Sequence, residues 1–268
     1  MTRFIHLTDL HISHARAGTS GENSASLTTL RRAVEAINAM DPQPEFVVAS
    51  GDLTNMGDEA SYALLKETIA PLKAPWIPAL GNHDTRKGYH AVFGDGAAPT
   101  PLFSSRAIGS QHIITLDTLI PKHVAGTIDD AQFAMLEDAL NDHPDLSKLI
   151  VMHHPPRLDE GGLPWGSIDM PASTRLADVL KPHNVTAILS GHIHINQTSL
   201  WHGIPILVST GLESTVDLLE RRDLRIMEGA GFTICYVRDS GLTASYVTLL
   251  PQARELNVID RARLLKFT

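Results

Sequence analysis

A chain of 268 residues with 43% hydrophobic residues is long enough to bury a sizeable core, and no linker-like stretch divides it. Its formal net charge of −8 argues against a protein that grips polymeric nucleic acid, and its one cysteine excludes an intrachain disulfide. No segment reaches the roughly 18 apolar residues of a membrane helix, and the first residues are too polar for a signal peptide. We expect a cytoplasmic protein without membrane contact, with one domain over residues 1–250 and a tail over 251–268.

The hydrophobic pattern alternates between strand and helix along the chain. Strands are predicted over residues 3–9, 45–52, 75–84, 103–107, 111–117, 148–156, 185–194 and 204–210. Helices are predicted between them, over residues 27–40, from Asp58 to Ile69, from Asp129 to Asn141 and over 173–181. The last segment, GFTICYVRDSGLTASYVTLL, predicts an antiparallel hairpin that turns at Asp239, Ser240 and Gly241. Alternating strands and helices followed by a hairpin indicate an α/β fold with packed sheets.

Polar side chains that can bind a metal gather where five of these strands end. They are Asp9 and His11, Asp52, Asn82 to Asp84, His153 and His154, and His192 and His194. Ligands of α/β folds collect beyond the carboxyl ends of the strands. A single histidine at a strand end is more often an ordinary hydrogen-bonded residue, but structural polar residues do not explain five sets in register. The sequence therefore predicts a metal site at this edge.

The residue types favour particular metals. Imidazole, carboxylate and amide ligands without a thiolate suit Fe, Mn, Zn or Co better than Ca or Mg. About seven candidate donors exceed what one ion needs, so two ions that share a bridging carboxylate are the economical arrangement. Two ions about 3.5–4 Å apart can hold a bridging hydroxide and clamp a displacement at phosphorus. We therefore expect two divalent or trivalent transition-metal ions as cofactors.

The segment SGHIHIN at residues 190–196 has a geometric interpretation of its own. If it is extended, His192 and His194 point to one side, with Cβ atoms about 6.5–7 Å apart. That spacing is wide for one ion but suits one histidine on each of two neighbouring ions. Gly191, which lacks a side chain, lets the backbone approach the site closely.

Five short motifs occur in a fixed order along most of the chain. They are DLH (9–11), GD (51–52), GNHD (81–84), HH (153–154) and GHIH (191–194). The ordered set resembles the calcineurin-like metallophosphoesterases, and the surrounding residues look most like the class III cyclic nucleotide phosphodiesterases and bacterial glycerophosphodiesterases. The resemblance implies a four-layer α/β/β/α sandwich with two packed mixed β-sheets flanked by helices. It also implies a dinuclear metal site at the carboxyl ends of the strands.

The resemblance assigns a role to each motif residue. It implies that the first metal is held by Asp9, His11 and His194, the second by Asn82, His153 and His192, and that Asp52 bridges both. By the same resemblance, His83 stabilises the transition state or protonates the leaving oxygen. Asp84 either orients His83 by accepting a hydrogen bond from its ring, which is favoured, or simply caps the turn. Contact with the substrate is expected from Asn82, His83, His154 and Arg157. Trp165 either stacks on a base or packs locally, and the arginines Arg221, Arg222 and Arg225 read as a solvated face.

The implied activity is that of a dinuclear metal-dependent phosphodiesterase, in which a metal-bridging hydroxide attacks phosphorus in a small anionic phosphodiester. Cyclic nucleotides and glycerophosphodiesters are both open as substrates. The alternatives are a phosphomonoesterase or a nucleotide or lipid-linked pyrophosphatase of the same superfamily. A non-catalytic metal-binding scaffold is less favoured, because the ligands and His83 are all present. The acidic balance weighs against a nuclease, and a homodimer is the oligomer that the resemblance suggests.

Overall fold

The computed structural model describes residues 1–14, 25–94, 100–220 and 222–249, so the predicted tail and Arg221 lie outside the described residues. Within these ranges the strands are β1 Thr2–Leu7, β2 Phe46–Ser50, β3 Trp76–Ala79, β4 Ser104–Ile108, β5 Gln111–Thr115, β6 Ser147–Val151, β7 Val185–Ser190, β8 Gln197–Trp201, β9 Ile204–Val208, β10 Ser214–Val216, β11 Ile226–Glu228, β12 Gly231–Arg238 and β13 Gly241–Thr248. The helices are α1 Ala25–Asn38, α2 Glu59–Ile69, α3 Arg86–Phe93, α4 Asp130–Asn141 and α5 Met170–Leu180, with a 3₁₀ turn at Pro164–Gly166. No helix in this part of the chain is long and apolar enough to cross a membrane.

The strands form two mixed sheets and one short pair. The first sheet has the order β13-β12-β1-β2-β3, in which β1, β2 and β3 are parallel and β12 runs antiparallel to β1. The second has the order β4-β5-β6-β7-β9-β8, with a parallel centre from β5 to β9 and antiparallel strands at both edges. Strands β10 and β11 pair only with each other. The predicted hairpin is confirmed as β12 and β13.

Alternation of side chains along the strands produces the layers. On the first sheet, Ile5 and Leu7 pack with Leu27 of α1, whereas Phe4 faces the other sheet. On the second sheet, residues such as Ile150 pack against α4 and α5, and their sequence neighbours pack against Phe4. One apolar cluster therefore lies between the sheets and one lies under each helical layer. The fold is the expected α/β sandwich, with two mixed sheets flanked by helices.

Several elements differ from their predicted bounds. Helix α5 begins earlier than predicted, because Asp169 caps it and a proline is tolerated in its first turn. Helix α3, strand β8 and the β10–β11 pair lie in segments for which no element was predicted. Strand β7 ends at Ser190, so the predicted strand over 185–194 is too long by four residues. The residues beyond Ser190 form the loop that carries two of the predicted ligands.

Candidate metal centre

The predicted polar sets meet at one edge of the two sheets. Asp9 and His11 follow β1, Asp52 follows β2, His153 follows β6, and residues 192–194 follow β7. β1 runs parallel to β2 and β6 runs parallel to β7, and all four strands lie inside their sheets, so the carboxyl ends within each sheet face the same edge. Short loops after buried strands thus bring together residues that are up to 185 positions apart in the sequence.

Asp9, His11 and His194 form one group. Nε2 of His194 lies 3.2 Å from Oδ1 of Asp9 and 3.1 Å from Nε2 of His11. The same Asp9 oxygen lies 4.0 Å from Nε2 of His11. One donor atom from each residue lies within 4.8 Å of the other two. Three ligand atoms therefore converge on one point, as the resemblance predicts for the first metal.

A second group lies beside it. Nε2 of His153 is 3.2 Å from Oδ2 of Asp52 and 3.2 Å from Oδ1 of Asn82. The ring of His192 lies 5.1 Å from that of His153, centroid to centroid. Oδ2 of Asp52 is also 3.7 Å from Nε2 of His11, which belongs to the first group. Asp52 thus stands between the two groups, where a bridging carboxylate is required.

Hydrogen bonds outside the cleft determine which nitrogen of each imidazole faces it. Nδ1 of His153 lies 2.9 Å from the carbonyl oxygen of the last residue of β2. Nδ1 of His194 lies 2.9 Å from Oγ of Ser214, and Nε2 of His192 lies 2.6 Å from the carbonyl oxygen of Trp165. A carbonyl oxygen only accepts, so the nitrogen beside it carries the hydrogen, and in the neutral ring that a metal requires the other nitrogen keeps its lone pair. Nε2 of His153 and Nδ1 of His192 are therefore left to bind a cation.

The backbone is strained at five predicted ligands. Positive φ angles occur at Asp9 (51°), His11 (46°), Asp52 (48°), His192 (74°) and His194 (52°). Elsewhere in the described residues, the non-glycine residues with positive φ are Lys122, His143 and His202. Such conformations cost about 1–3 kcal/mol each and persist only where the surrounding structure fixes them. Their concentration in residues with metal-binding side chains marks this edge as a functional site.

Two glycines let the main chain pass close to the carboxylates. A Cβ at Gly191 would overlap Oγ1 of Thr8, and a Cβ at Gly81 would overlap the carboxylate of Asp52. The N–H of the residue after Gly191 donates to both oxygens of Asp9, at 3.1 and 3.0 Å. The predicted close approach at Gly191 is confirmed.

The segment SGHIHIN is not extended, which corrects its predicted geometry. Two residues with positive φ, His192 and His194, turn the chain after Ser190. The two histidines still reach different groups, but they do so through these turns rather than through strand alternation. A pattern of residue types does not encode the sign of φ, so the extended geometry was the default expectation.

The electrostatics of the centre are those of a cation site. Burial raises the pKa of Asp9 and of Asp52, but the neighbouring histidines outweigh it and hold both below the ordinary range. Burial lowers the pKa of His153, and Asp52 reverses that effect and raises it to about 9. Burial, assisted by the charge on His153, lowers the pKa of His192 to about 4. Two ionised carboxylates are thus buried among imidazoles, and this donor set fits divalent metal ions.

His83 lies at the mouth of the cleft. Its ring meets that of His11 edge-on, with 4.7 Å between the centroids. Its Nδ1 lies 3.0 Å from the carbonyl oxygen of Asn55, so Nδ1 carries the hydrogen. Its main-chain N–H donates to Oδ1 of Asp52 at 2.8 Å. The ring is therefore oriented by a backbone carbonyl, and the predicted hydrogen bond from His83 to Asp84 is wrong.

The carboxylate of Asp84 instead accepts hydrogen bonds from the loops that follow β2 and β3. It accepts hydrogen bonds from the N–H groups of Leu53, Thr54 and Gly81, at 2.9, 3.0 and 3.0 Å. The hydroxyls of Thr54 and Tyr62 donate to it as well, at 3.2 and 2.8 Å. A buried carboxylate so engaged joins the loop after β2 to the loop after β3. It supports the ligands on both loops and does not touch the His83 ring.

His154 does not face the substrate side, which corrects a second prediction. Its side chain is buried, with Nδ1 2.7 Å from Oγ1 of Thr118 and Nε2 2.9 Å from the carbonyl oxygen of Val124. A Cβ at Gly126 would overlap its ring. Both ring nitrogens are therefore used to fasten the segment 118–126 against the end of β6.

Arg157 also differs from its predicted role. Its guanidinium donates to the carbonyl oxygens of Asp159, Glu160 and Gly162, at 3.2, 3.2 and 2.9 Å. The side chain thus closes its own loop instead of pointing at a phosphate. Because its partners are backbone atoms, no residue type in the sequence signalled them.

The ligands open into a cavity of about 280 Å³. Its walls include the predicted ligands His11, His192 and His194 and, at the rim, Trp165, Val216, Leu224 and Ile226. The β10–β11 hairpin was not predicted as part of the site, because strands of three residues are too short to show a periodic pattern in the sequence. Ser214, which orients His194, is missed for the same reason. Arg225 is 57% exposed at its side chain and pairs with Asp217 and Glu220, so its solvated interpretation is confirmed.

Fold and site together define a class of protein: an α/β/β/α sandwich with a carboxylate, imidazole and amide cluster for divalent metal ions. The profile of the calcineurin-like phosphoesterase family matches residues 2–196, and the chain belongs to this family. The resemblance seen in the ordered motifs is thereby confirmed.

Relatives and solved structures agree with this placement. A protein of Rhodococcus erythropolis named "probable cyclic nucleotide phosphodiesterase" is 32% identical over 252 residues, which cover 91% of this chain and 83% of that protein. A protein of Arcobacter nitrofigilis named "probable glycerophosphodiester phosphodiesterase GpdQ" is 29% identical over 266 residues, with coverage of 91% and 92%. A dimetal phosphatase from Danio rerio shares the fold with a TM-score of 0.65, at 13% identity, over 92% of this chain and 98% of that one.

Proposed function

We propose that the protein is a metal-dependent phosphodiesterase that hydrolyses small anionic phosphodiesters. The observation that carries the proposal is the convergence of ligand atoms around Asp9 and Asp52, with separations of 3.1 to 4.0 Å between them. The names of the relatives from Rhodococcus erythropolis and Arcobacter nitrofigilis support a diester rather than a monoester.

The ligand sets are proposed as the resemblance implies them. One metal would be held by Asp9, His11 and His194, the other by Asn82, His153 and His192, with Asp52 shared. Two transition-metal ions from the set Fe, Mn, Zn and Co supply Lewis acidity and a nucleophile at neutral pH when bound. The hydrogen bonds to the far side of the His153, His192 and His194 rings keep them pointed at the cleft, so these ligands need little rearrangement on loading.

His83 is proposed as the catalytic residue that acts without holding a metal. Its ring is fixed by the Asn55 carbonyl, and one of its nitrogens lies within 4.8 Å of donor atoms of His11 and Asp52. From that place it can stabilise a phosphate oxygen that gains charge, or protonate the leaving oxygen. Asn82 lies beside it and is proposed to contact the substrate as well.

Hydrolysis of bis(p-nitrophenyl) phosphate by the Mn²⁺-loaded protein tests the proposal. We expect turnover of this diester to exceed that of p-nitrophenyl phosphate, and we expect Asp52→Asn to abolish it. Asp58→Asn is a matched control, since Asp58 caps α2 away from the centre and asparagine caps equally well. Faster hydrolysis of the monoester would favour a phosphomonoesterase, and full activity of Asp52→Asn would refute the metal-dependent mechanism.

The remaining expectations about partners stay predictions. A homodimer is one of them, and sedimentation of the purified chain measures it directly. The proposed activity does not depend on its outcome, because every proposed ligand comes from one chain.

A further inference from the structure

A second cavity lies directly beside the metal centre. It has a volume of about 360 Å³ and lies between the segment 155–167 and strands β8 and β9. Its apolar lining includes Pro155, Pro156, Trp165, Ile193, Ile206 and Val208, with Leu158 and Leu163 from the same segment. The charged residues Arg157 and Asp159 line it as well. Trp165 and Ile193 also line the cavity into which the metal ligands open. The two cavities are therefore neighbours that share one wall.

The shared wall is attached to the metal centre. The indole ring of Trp165 lies 5.9 Å from the ring of His192, and its carbonyl oxygen accepts the hydrogen bond that orients this imidazole. Ile193 is the residue between the two predicted ligands of the GHIH motif, and a Cβ at Gly166 would lie 3.6 Å from its Cγ2. Trp165 and Ile193 are thus the two side chains that line both cavities.

The walls suit a flat, mostly apolar group. Two prolines, an indole and three branched aliphatic side chains offer dispersion contacts, and aromatic groups gain most from such surfaces. Gln197 and Ser199 lie two positions apart on β8, so they share a face, and both line the cavity. An amide and a hydroxyl can each donate and accept, which provides polar recognition at the edge of a ring. Apolar walls with a few polar groups are the usual composition of a small-molecule site.

We propose that this cavity is a specificity subsite for a planar aromatic group esterified to the substrate phosphate. The inference rests on the proposed phosphodiesterase function and deepens it. A small polyol ester is a poorer occupant, because it makes little use of the apolar lining, and the Arg157 guanidinium beside it is already bonded to the carbonyl oxygens of its own loop. The opposite rim, formed by Val216, Leu224 and Ile226, is aliphatic and takes the second substituent of the diester.

Two diester analogues that differ in one group test the subsite. Phenyl methylphosphonate and methyl methylphosphonate carry the same single charge, and only the first has an aromatic ester. With the Mn²⁺-loaded protein we expect the phenyl compound to bind about tenfold more tightly, both by calorimetry and as an inhibitor of diester hydrolysis. Equal affinities for the two compounds would overturn the proposal. Because calorimetry needs no turnover, failure of the subsite and failure of the proposed activity are told apart.

Variants locate the aromatic group. Ser199→Phe fills the second cavity without touching the metal loops, and we expect the preference for the phenyl compound to fall below about threefold. Leu200→Phe is the matched control, since Leu200 is the next residue on β8, is 75% exposed and does not line the cavity, so the preference should persist. Loss of the preference in Ile226→Ser but not in Ser199→Phe would place the ring at the hairpin rim and overturn the proposal.

Trp165 variants supply a second, independent readout. Trp165→Ala removes the shared wall but retains the carbonyl oxygen that accepts from His192. We expect it to lose the phenyl preference while its affinity for Mn²⁺, measured by calorimetry on the metal-free protein, stays within about threefold of the original. Trp165→Phe should restore most of the preference. A phenyl preference that survives in Trp165→Ala would show that the indole is not a wall of the subsite.

Discussion

The metal-binding edge and the rim above it are built in different ways. At the edge, side chains such as Asp9 and His153 are completely buried, and five predicted ligands take left-handed backbone conformations. At the rim, the hairpin segment leaves Leu219 88% exposed and Ile226 57% exposed. At the edge, strained backbone conformations hold the donor atoms in a fixed geometry. At the rim, apolar side chains are exposed. The fixed donor geometry and the exposed apolar surface therefore lie in separate parts of the molecule.

Among residues outside the proposed ligand sets, the largest effect is expected at His83, which stands at the boundary of the two regions. His83→Ala should lower kcat on the diester by about 10²–10³-fold, because it removes a group that stabilises or protonates the reacting phosphate. Metal content, measured by elemental analysis, should be unchanged, since His83 belongs to neither ligand set. His183→Ala, at the opposite end of β7, is the control and should retain full activity. Loss of metal in proportion to activity would instead make His83 a ligand.

Removal of the metals should lower the melting temperature through the edge, which holds them, and not through the rim. Chelation followed by thermal unfolding should lower the melting temperature by about 5–10 °C relative to protein held at about 100 times the metal Kd, because cations balance the buried carboxylates Asp9 and Asp52. Met227→Ala on the exposed hairpin should show the same shift as the unmodified chain. A chelator that leaves the melting temperature unchanged would contradict a metal held by the buried edge.

A substitution at Asp84 tests whether the role of this carboxylate is structural. Asp84→Asn places an amide NH₂ among backbone and hydroxyl donors, so at least one of them loses its acceptor in a buried loop. We expect the free energy of unfolding of the metal-free protein, measured with urea, to fall by about 2–3 kcal/mol. Asp58→Asn retains its helix cap and should change this quantity by less than about 0.5 kcal/mol. Undiminished stability with a reduced kcat would restore the orienting role first predicted for Asp84.

The parts of the site that sequence reasoning predicted share one property. Each ligand motif lies in a short loop directly after a buried strand. The apolar run before Asp52 or His153 therefore predicts both the strand and the residue at which it ends. The layered fold follows from the same runs, because buried parallel strands require helices on their outer faces. The local sequence pattern was therefore sufficient to place those residues whose location in the fold follows directly from their location along one strand.

The parts that it did not predict depend on contacts between distant segments. His154 is withdrawn from the cleft by the carbonyl of Val124, 30 residues away, and His192 is oriented by the carbonyl of Trp165. Backbone acceptors are present at every residue, so the sequence carries no signal for which one is used. The β10–β11 hairpin is likewise too short for a period to appear. Prediction therefore failed for the groups that orient the predicted ligands and for the rim, because the tertiary structure determines their partners.

The smallest predicted effect measures the strain that distinguishes the edge from the rim. His194 has φ 52°, a conformation that glycine adopts freely and alanine does not. In the metal-free protein, His194→Gly should therefore be about 1 kcal/mol more stable to urea than His194→Ala, although both lose the same imidazole contacts. At Met227, in strand β11, the order should reverse, with the alanine variant about 0.5–1 kcal/mol more stable than the glycine variant. If the alanine variant is the more stable one at both positions, the backbone at His194 does not keep its left-handed conformation in the metal-free protein. The geometry of the edge would then form only when the ions bind.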